Sequence, residues 1–335
     1  MSVMQHWSAG RAPSLSILVP VFNDWACVAP LIAGLEATPG LPIDKTLVIV
    51  DDGSTEEIPS DLNTGTISTE VIRLGANVGH QRAIAIGLVS IARAKSADVV
   101  IVLDADGEDL PADCESLWQA HMANPAAVVV AQRRKRTESA RFKFFYGLYR
   151  WFFRVLTGRR LDFGNFSLLP ASALQRLVLM PELWNHYPAT IMKSRLVIVR
   201  VPLNRGARFA GQSRMNFISL VNHGLAGIAA FADTAYARLL AWSVAAMGLL
   251  GIAIVAGGVY RLMSENPLPG WLALGATAAV VALFQIIAAL IVVSFLTLSL
   301  RTQPNFPPIE VAHAYVSAKI SLTGAPYGVE THNEH

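Results

Sequence analysis

The segment Asp104-Ala105-Asp106-Gly107-Glu108-Asp109 sets four carboxylates directly behind the short apolar run 98–103. Such a run reads as a buried strand, so the acids stand at its C-terminal edge. Open α/β sheets bind ligands beyond the carboxyl ends of their strands, and hard oxygen ligands there suit Mg²⁺ or Mn²⁺ carrying a substrate diphosphate. The chemistry expected is metal-dependent and handles a phosphate compound.

Two further segments belong to the same edge. Val19-Pro20-Val21-Phe22-Asn23-Asp24 closes the first expected strand, and Val50-Asp51-Asp52-Gly53-Ser54 closes the second. An Asp-Asp-Gly-Ser by itself is an ordinary turn; three polar strand ends in order are a site.

The elements that must position these ends are legible as short β-rich runs at 15–21, 45–50, 70–74, 98–103 and 127–131, alternating with helical stretches. This is the pattern of βαβ units and a mainly parallel sheet in an α/β domain. Pro39-Gly40, Pro59 and Thr64-Gly65 punctuate the connections, and Pro111 suits the first turn of the helix behind the acids. Cys27 and Cys114 are the only cysteines, too few for a disulfide framework, and are expected to be reduced packing residues.

The chain has 335 residues, of which 53% are hydrophobic and 15% charged, more apolar than an ordinary soluble enzyme. The excess is local: residues 239–260 and 271–300 carry no charge, and each stretch exceeds the ~20 residues that cross a bilayer. Pro and Gly in the ten residues between them favour a tight reversal, hence a transmembrane hairpin. Both long flanks then share one side, and the larger share of Lys and Arg in the N-terminal flank makes that side cytoplasmic. Residues 15–21 are too short for a secretory leader and run into Pro20 and Asn23, so the N-terminal domain is expected to stay in the cytoplasm.

Net charge is only +3, yet residues 131–160 hold ten Lys or Arg against the single acid Glu138. Aromatic residues such as Phe144, Tyr149 and Trp151 alternate there with Arg141, Lys143, Arg150 and Arg154, the mix of a helix in an anionic headgroup layer. The expected organisation is a tail at 1–14, a catalytic domain at 15–212 with that helix at 139–157, a juxtamembrane helix at 213–236, two spans within 237–301 and a cytoplasmic tail at 302–335. One strand is expected in the tail near 314–320.

The stretches at 19–24 and 50–54, Asn77-Val78-Gly79 with Ala83 and Gly87, and Asp104-Ala105-Asp106 together resemble family 2 glycosyltransferases of the GT-A fold, over residues 15–233. With two spans appended, the chain is most similar to the polyisoprenyl-phosphate glycosyltransferases, the group of the dolichol-phosphate mannose synthases and bactoprenol glucosyltransferases. The resemblance implies transfer of one sugar from a UDP- or GDP-linked donor to a polyprenyl phosphate, at a bacterial-type inner membrane. It implies no nucleic-acid partner.

By that resemblance Pro20, Phe22 and Asp24 line the nucleotide pocket with Asn77 and Gly79, and one of Asp51 and Asp52 contacts the base. Asp104 and Asp106 hold Mg²⁺ or Mn²⁺, with Glu108 either a further ligand or a helix cap. Phe22 and Asp24 replace the group's usual Tyr and Glu, and Gly107-Glu108-Asp109 stands where Leu-Gln-Asp is frequent. Asp162-Phe163-Gly164-Asn165-Phe166 is similar to the acceptor-side Asp-x-Gly-x-Phe stretch and makes Asp162 the leading catalytic carboxylate, beside Asp106. Arg205, Arg208, Ser213 and Arg214 resemble the Arg-x-x-Arg-x-x-Gly-x-Ser loop, and with Arg133 are expected to grip a lipid phosphate, a diphosphate or both, since guanidinium forks fit phosphate oxygens.

A lipid phosphate is already anionic near neutral pH, its second pKa being ~6, so a single inverting displacement needs no strong base and Asp162 would orient the acceptor. A sugar-hydroxyl acceptor would instead make Asp162 the base. Two other readings stay open: a synthase extending a glycolipid or polysaccharide hydroxyl, although its Gln-x-x-Arg-Trp pattern is broken because position 147 is Gly, and a catalytically silent membrane adaptor. Small residues in the spans, such as Ala253 and Gly257, permit close packing, and the resemblance makes a homo-oligomer, even a tetramer, reasonable.

Overall fold

Apolar runs too continuous for half-exposed strands build the first part of the chain. In the computed structural model, which describes residues 13–133, 140–211, 217–263, 269–301 and 306–322, these are β1 (Leu15–Val21), β2 (Lys45–Asp51), β3 (Ser68–Leu74) and β4 (Val99–Val102). Helices α1 (Val28–Glu36) and α2 (His80–Ala94) connect them, and α3 (Asp113–Ala123) follows β4. β1 pairs in parallel with both β2 and β4, and β2 with β3. Ile17, Leu47 and Ile101 are fully buried in the layer so formed.

The chain continues through β5 (Val128–Arg133), α4 (Ala140–Thr157), β6 (Ser167–Pro170), α5 (Ala171–Leu177), α6 (Tyr187–Lys193) and β7 (Ile198–Leu203). Helices α7 (Phe217–Ala229), α8 (Ala232–Met263), α9 (Gly270–Arg301) and the one-turn α10 (Pro308–Val311) lead to the last strand, β8 (Val316–Leu322). The eight strands form one sheet in the order β7-β5-β6-β4-β1-β2-β3-β8. β6 runs antiparallel to β4 and β5, and β8 antiparallel to β3, so the sheet is mixed but mostly parallel.

Two of these strands differ from the expectation. β6 follows directly on the stretch 162–166 that reads as a motif, and no strand is expected there. The strand expected near 314–320 exists at 316–322, and its partner, which the sequence did not name, is β3 of the main sheet. Residues 306–322 are also fastened beside it: Gly75 N donates to Tyr315 O at 3.0 Å, Ile309 N to Val178 O at 3.2 Å, and the Arg93 guanidinium to Ile309 O.

The chain divides into two units. The first holds Met1–Tyr146, Leu161–Ala230 and Phe306–His335, and contains the whole sheet. The second holds Gly147–Arg160 and Phe231–Asn305. Within it α8 and α9 pack on each other, each 32 residues long, or roughly 48 Å at 1.5 Å per residue. That exceeds the ~30 Å hydrocarbon thickness of a bilayer, and their apolar side chains, Leu249 and Leu274 among them, stand exposed. Phe153 is buried edge-on against Phe231, and Arg238 Nη1 donates to Val155 O at 3.0 Å, which ties the end of α4 to the start of α8. Trp151, Phe152 and Arg154 face outward there.

Candidate active site

Parallel pairing brings three strand ends to one edge. Val21 lies opposite Asp51, and Leu18 opposite Val102, so the residues after β1, β2 and β4 emerge side by side. The first two ends are knitted together before any ligand is considered. Asn23, at φ 48°, accepts at Oδ1 from the amides of Thr55 (2.8 Å) and Glu56 (3.1 Å), and its own amide donates to Ser54 Oγ at 2.9 Å.

Asp51 and Asp52 serve this framework. Asp51 is fully buried and accepts from Arg73 Nε at 3.0 Å and Ser54 N at 2.9 Å. Asp52 is buried too and accepts from Val78 N at 2.8 Å and Gly79 N at 3.0 Å, bonds that oppose the upward push of burial on its pKa. The carboxylate expected to meet a base is therefore turned inward in both cases. Gly79, at φ 92°, is needed for its backbone rather than for space, because a Cβ there would meet nothing within 4 Å. Pro20 is buried in β1, whereas Phe22 and Asn77 are exposed at the edge.

Behind β4, Asp104, Asp106 and Glu108 are each met by a basic side chain. Asp104 Oδ1 lies 3.3 Å from His80 Nε2, at the start of α2, and 3.4 Å from Asn165 Nδ2. Burial lowers the His80 pKa, but Asp104, Asp52 and Asp106 outweigh it and raise the value. Asp106 Oδ2 accepts from Arg208 Nη1 at 2.9 Å, and its Oδ1 caps Glu108 N at 3.0 Å. Arg208 also pairs with Asp24, and Arg205 pairs with Glu108.

Glu108 is thus an arginine partner in this arrangement, and Arg205 and Arg208, two of the arginines expected to grip a lipid phosphate, a diphosphate or both, sit on the acid cluster. Asp162 faces Gln132 Nε2 at 2.8 Å and Arg200 Nε at 3.1 Å, towards β5 and β7. The member of its stretch that reaches Asp104 is Asn165. Ser213 and Arg214 lie outside the described residues, and of Arg133 only the backbone, at the end of β5, is described.

Three functional candidates escape a motif reading: His80, Asn165 and Gln81. Gln81 Nε2 donates to Asn165 Oδ1 at 3.2 Å, Tyr187 N donates to Gln81 Oε1 at 2.6 Å, and Ser167 Oγ and Tyr187 Oη share a bond of 2.7 Å. Their signal was adjacency alone, His80 following Asn-Val-Gly and Asn165 sitting within Asp-x-Gly-x-Phe.

The donor set suits a hard divalent ion in kind, since Asp104 and Asp106 offer carboxylate oxygens and are 28% and 18% exposed. No cluster of three or more His, Cys, Asp or Glu shaped for a metal occurs among the described residues. Two carboxylates would hold the ion, and a diphosphate with water would complete its shell.

Residues 16–180 match the model of the Glycosyl transferase family 2. The chain is 26% identical over 239 residues to an uncharacterized glycosyltransferase, sll0501, of Synechocystis sp., covering 65% of this chain and 69% of the relative. It is 25% identical over 188 residues to the dodecaprenyl-phosphate galacturonate synthase of Rhizobium johnstonii, covering 53% of this chain and 54% of that one. Among solved structures, glucosyl-3-phosphoglycerate synthase from Mycobacterium tuberculosis, in complex with Mn²⁺, UDP-glucose and phosphoglyceric acid, aligns with a TM-score of 0.49 at 17% identity, over 67% of this chain and 80% of that one.

Proposed function

Because this chain carries a Glycosyl transferase family 2 domain at residues 16–180 and is a glycosyltransferase, we propose that it moves one sugar from a nucleotide diphosphate sugar to a polyprenyl phosphate at a membrane. The reading rests on one observation: the same chain presents the acid pair Asp104 and Asp106 at a strand edge and two long helices with exposed apolar faces. A prenyl tail leaves lipid at a cost of about 0.8 kcal/mol per CH₂, so an enzyme that loads it gains by being anchored there.

Asp104 and Asp106 would hold Mg²⁺ or Mn²⁺. The bound ion would neutralise charge that develops on the departing diphosphate. Asn165, an amide, is the acceptor-side residue beside Asp104; it can orient an oxygen but cannot take a proton. That suits an acceptor that is anionic beforehand, and the relative named for a dodecaprenyl phosphate supports the same class. Asp162 then acts as a positioning residue through Gln132 and Arg200, and the displacement inverts the anomeric centre. The catalytic unit would face the cytoplasm, in a homo-oligomer.

The test is to incubate membranes holding the protein with UDP- and GDP-sugars plus a short prenyl phosphate and to weigh the lipid product. A mass increase of one sugar, abolished by chelator and by Asp104→Ala, is expected. A glycosylated hydroxyl lipid with the prenyl phosphate unmodified would reject the proposed acceptor.

A further inference from the structure

Arg208 joins two acids that come from different strand ends. Nη1 donates to Asp106 Oδ2 at 2.9 Å, the other terminal nitrogen pairs with Asp24, and Nε donates to the carbonyl of Ala210 at 2.7 Å. The side chain is 19% exposed, so these bonds are partly shielded from water.

The segment that carries it is fastened to the acid loop at several points. Phe209 N donates to Asp106 O at 2.8 Å and Gly206 N to Glu108 O at 2.9 Å. Arg205 pairs with Glu108. The Phe209 ring lies over Gly107, at φ 84°, where a Cβ would fall 2.7 Å from the ring. Gly107 and Glu108 thus receive Phe209 and Arg205, partners about a hundred positions along the chain.

A carboxylate oxygen that accepts a guanidinium N–H is shielded from a second cation. The same guanidinium is the side chain best shaped for a diphosphate. We propose that Arg208 is an internal counter-cation of the donor site, holding Asp24 and Asp106 before a donor arrives and moving onto the donor's diphosphate when a divalent ion takes Asp106. This rests on the function proposed above for the acid pair. His80 Nε2 lies 3.3 Å from Asp104, the other member of the pair. The ion and the diphosphate must therefore bind cooperatively, each relieving a cost the other would meet alone.

Mn²⁺ binding, read by electron paramagnetic resonance on the full chain in detergent, tests this separately from turnover. Arg208→Ala should bind Mn²⁺ alone about 10-fold more tightly than the parent, the competing charge-assisted bond having gone. With Mn²⁺ saturating, the same variant should bind UDP or GDP, whichever the parent prefers, about 10-fold more weakly. Arg208→Lys, which keeps the charge without the fork, should fall between on both measures and covers the case in which the alanine variant does not fold. Effects of opposite sign are not what simple loosening of the loop would give. If the parent binds Mn²⁺ through Asp104 and Asp106, as judged by their alanine variants, but neither Arg208 variant binds it more tightly, the counter-cation role is overturned and the function stands. If Mn²⁺ binding is indifferent to both acids, the proposed site falls, and the exchange with it.

Discussion

Asp52 and His121 are buried polar residues on which stability depends in different ways. Asp52→Ala leaves the amides of Val78 and Gly79 without their acceptor at the start of α2, and should cost about 1–3 kcal/mol in thermal or denaturant unfolding. His121, on α3, is pushed by burial down to about 4 from an ordinary 6.5. Below pH 6.5 the unfolded chain takes up a proton that the folded chain refuses, so stability is lost as pH falls from 6.5 towards 4 and is unaffected above that window. The full loss is about 3 kcal/mol, and His121→Leu should flatten melting temperature against pH in the same window. At this scale the sequence tells which carboxylates gather at the sheet edge, because each terminates an apolar strand. Their partners are hidden from it: Arg208 meets Asp24 across 184 positions, and only the folded chain brings them together. Asp162, which its place in a motif marks as the leading catalytic carboxylate, meets Gln132 and Arg200, neighbours equally invisible in the sequence.

Among the elements, α2 is the one that fixes the site to the sheet. It starts at His80, over the acids, and crosses β1 and β2 with Gly87 at the point of closest approach, where a Cβ would overlap Leu18 and come within 2.7 Å of Val50. Gly87→Ala should therefore destabilise the catalytic unit by about 1–3 kcal/mol, visible as a lower unfolding midpoint, and should displace His80 enough to weaken nucleotide binding in the same sample. An unchanged midpoint would mean that Leu18 and Val50 yield freely. The parallel strands were legible because burial on both faces leaves an uninterrupted apolar run, as in Val99–Val102. β6 was not, since Ser167-Leu168-Leu169-Pro170 lacks the unbroken β-branched run of Val99–Val102, nor was the pairing of β8, whose alternating exposure says that it is a strand without saying against what.

The whole molecule is two interleaved units, and the chain enters the second of them twice. The two long apolar helices were plain in composition alone. What composition could not tell is that the chain returns from them to complete the sheet, with Ser317 Oγ donating to Arg73 O at 3.0 Å while Arg73 holds Asp51. A chain ending after Arg301 should leave the N–H and C=O groups of the β3 edge open to pairing with other molecules. Its expected behaviour is a lower melting temperature and a void-volume peak in size exclusion in detergent; a monodisperse truncated protein with the parent's melting temperature would contradict a supporting role for β8.

The position of that strand also sets an order of events during synthesis. A ribosome makes β8 after both apolar helices, so seven strands must wait, one flank unpaired, while the 70 residues 232–301 emerge. On the function proposed above, the sheet edge would be completed only in chains whose apolar helices have already been made, close to where a lipid acceptor resides.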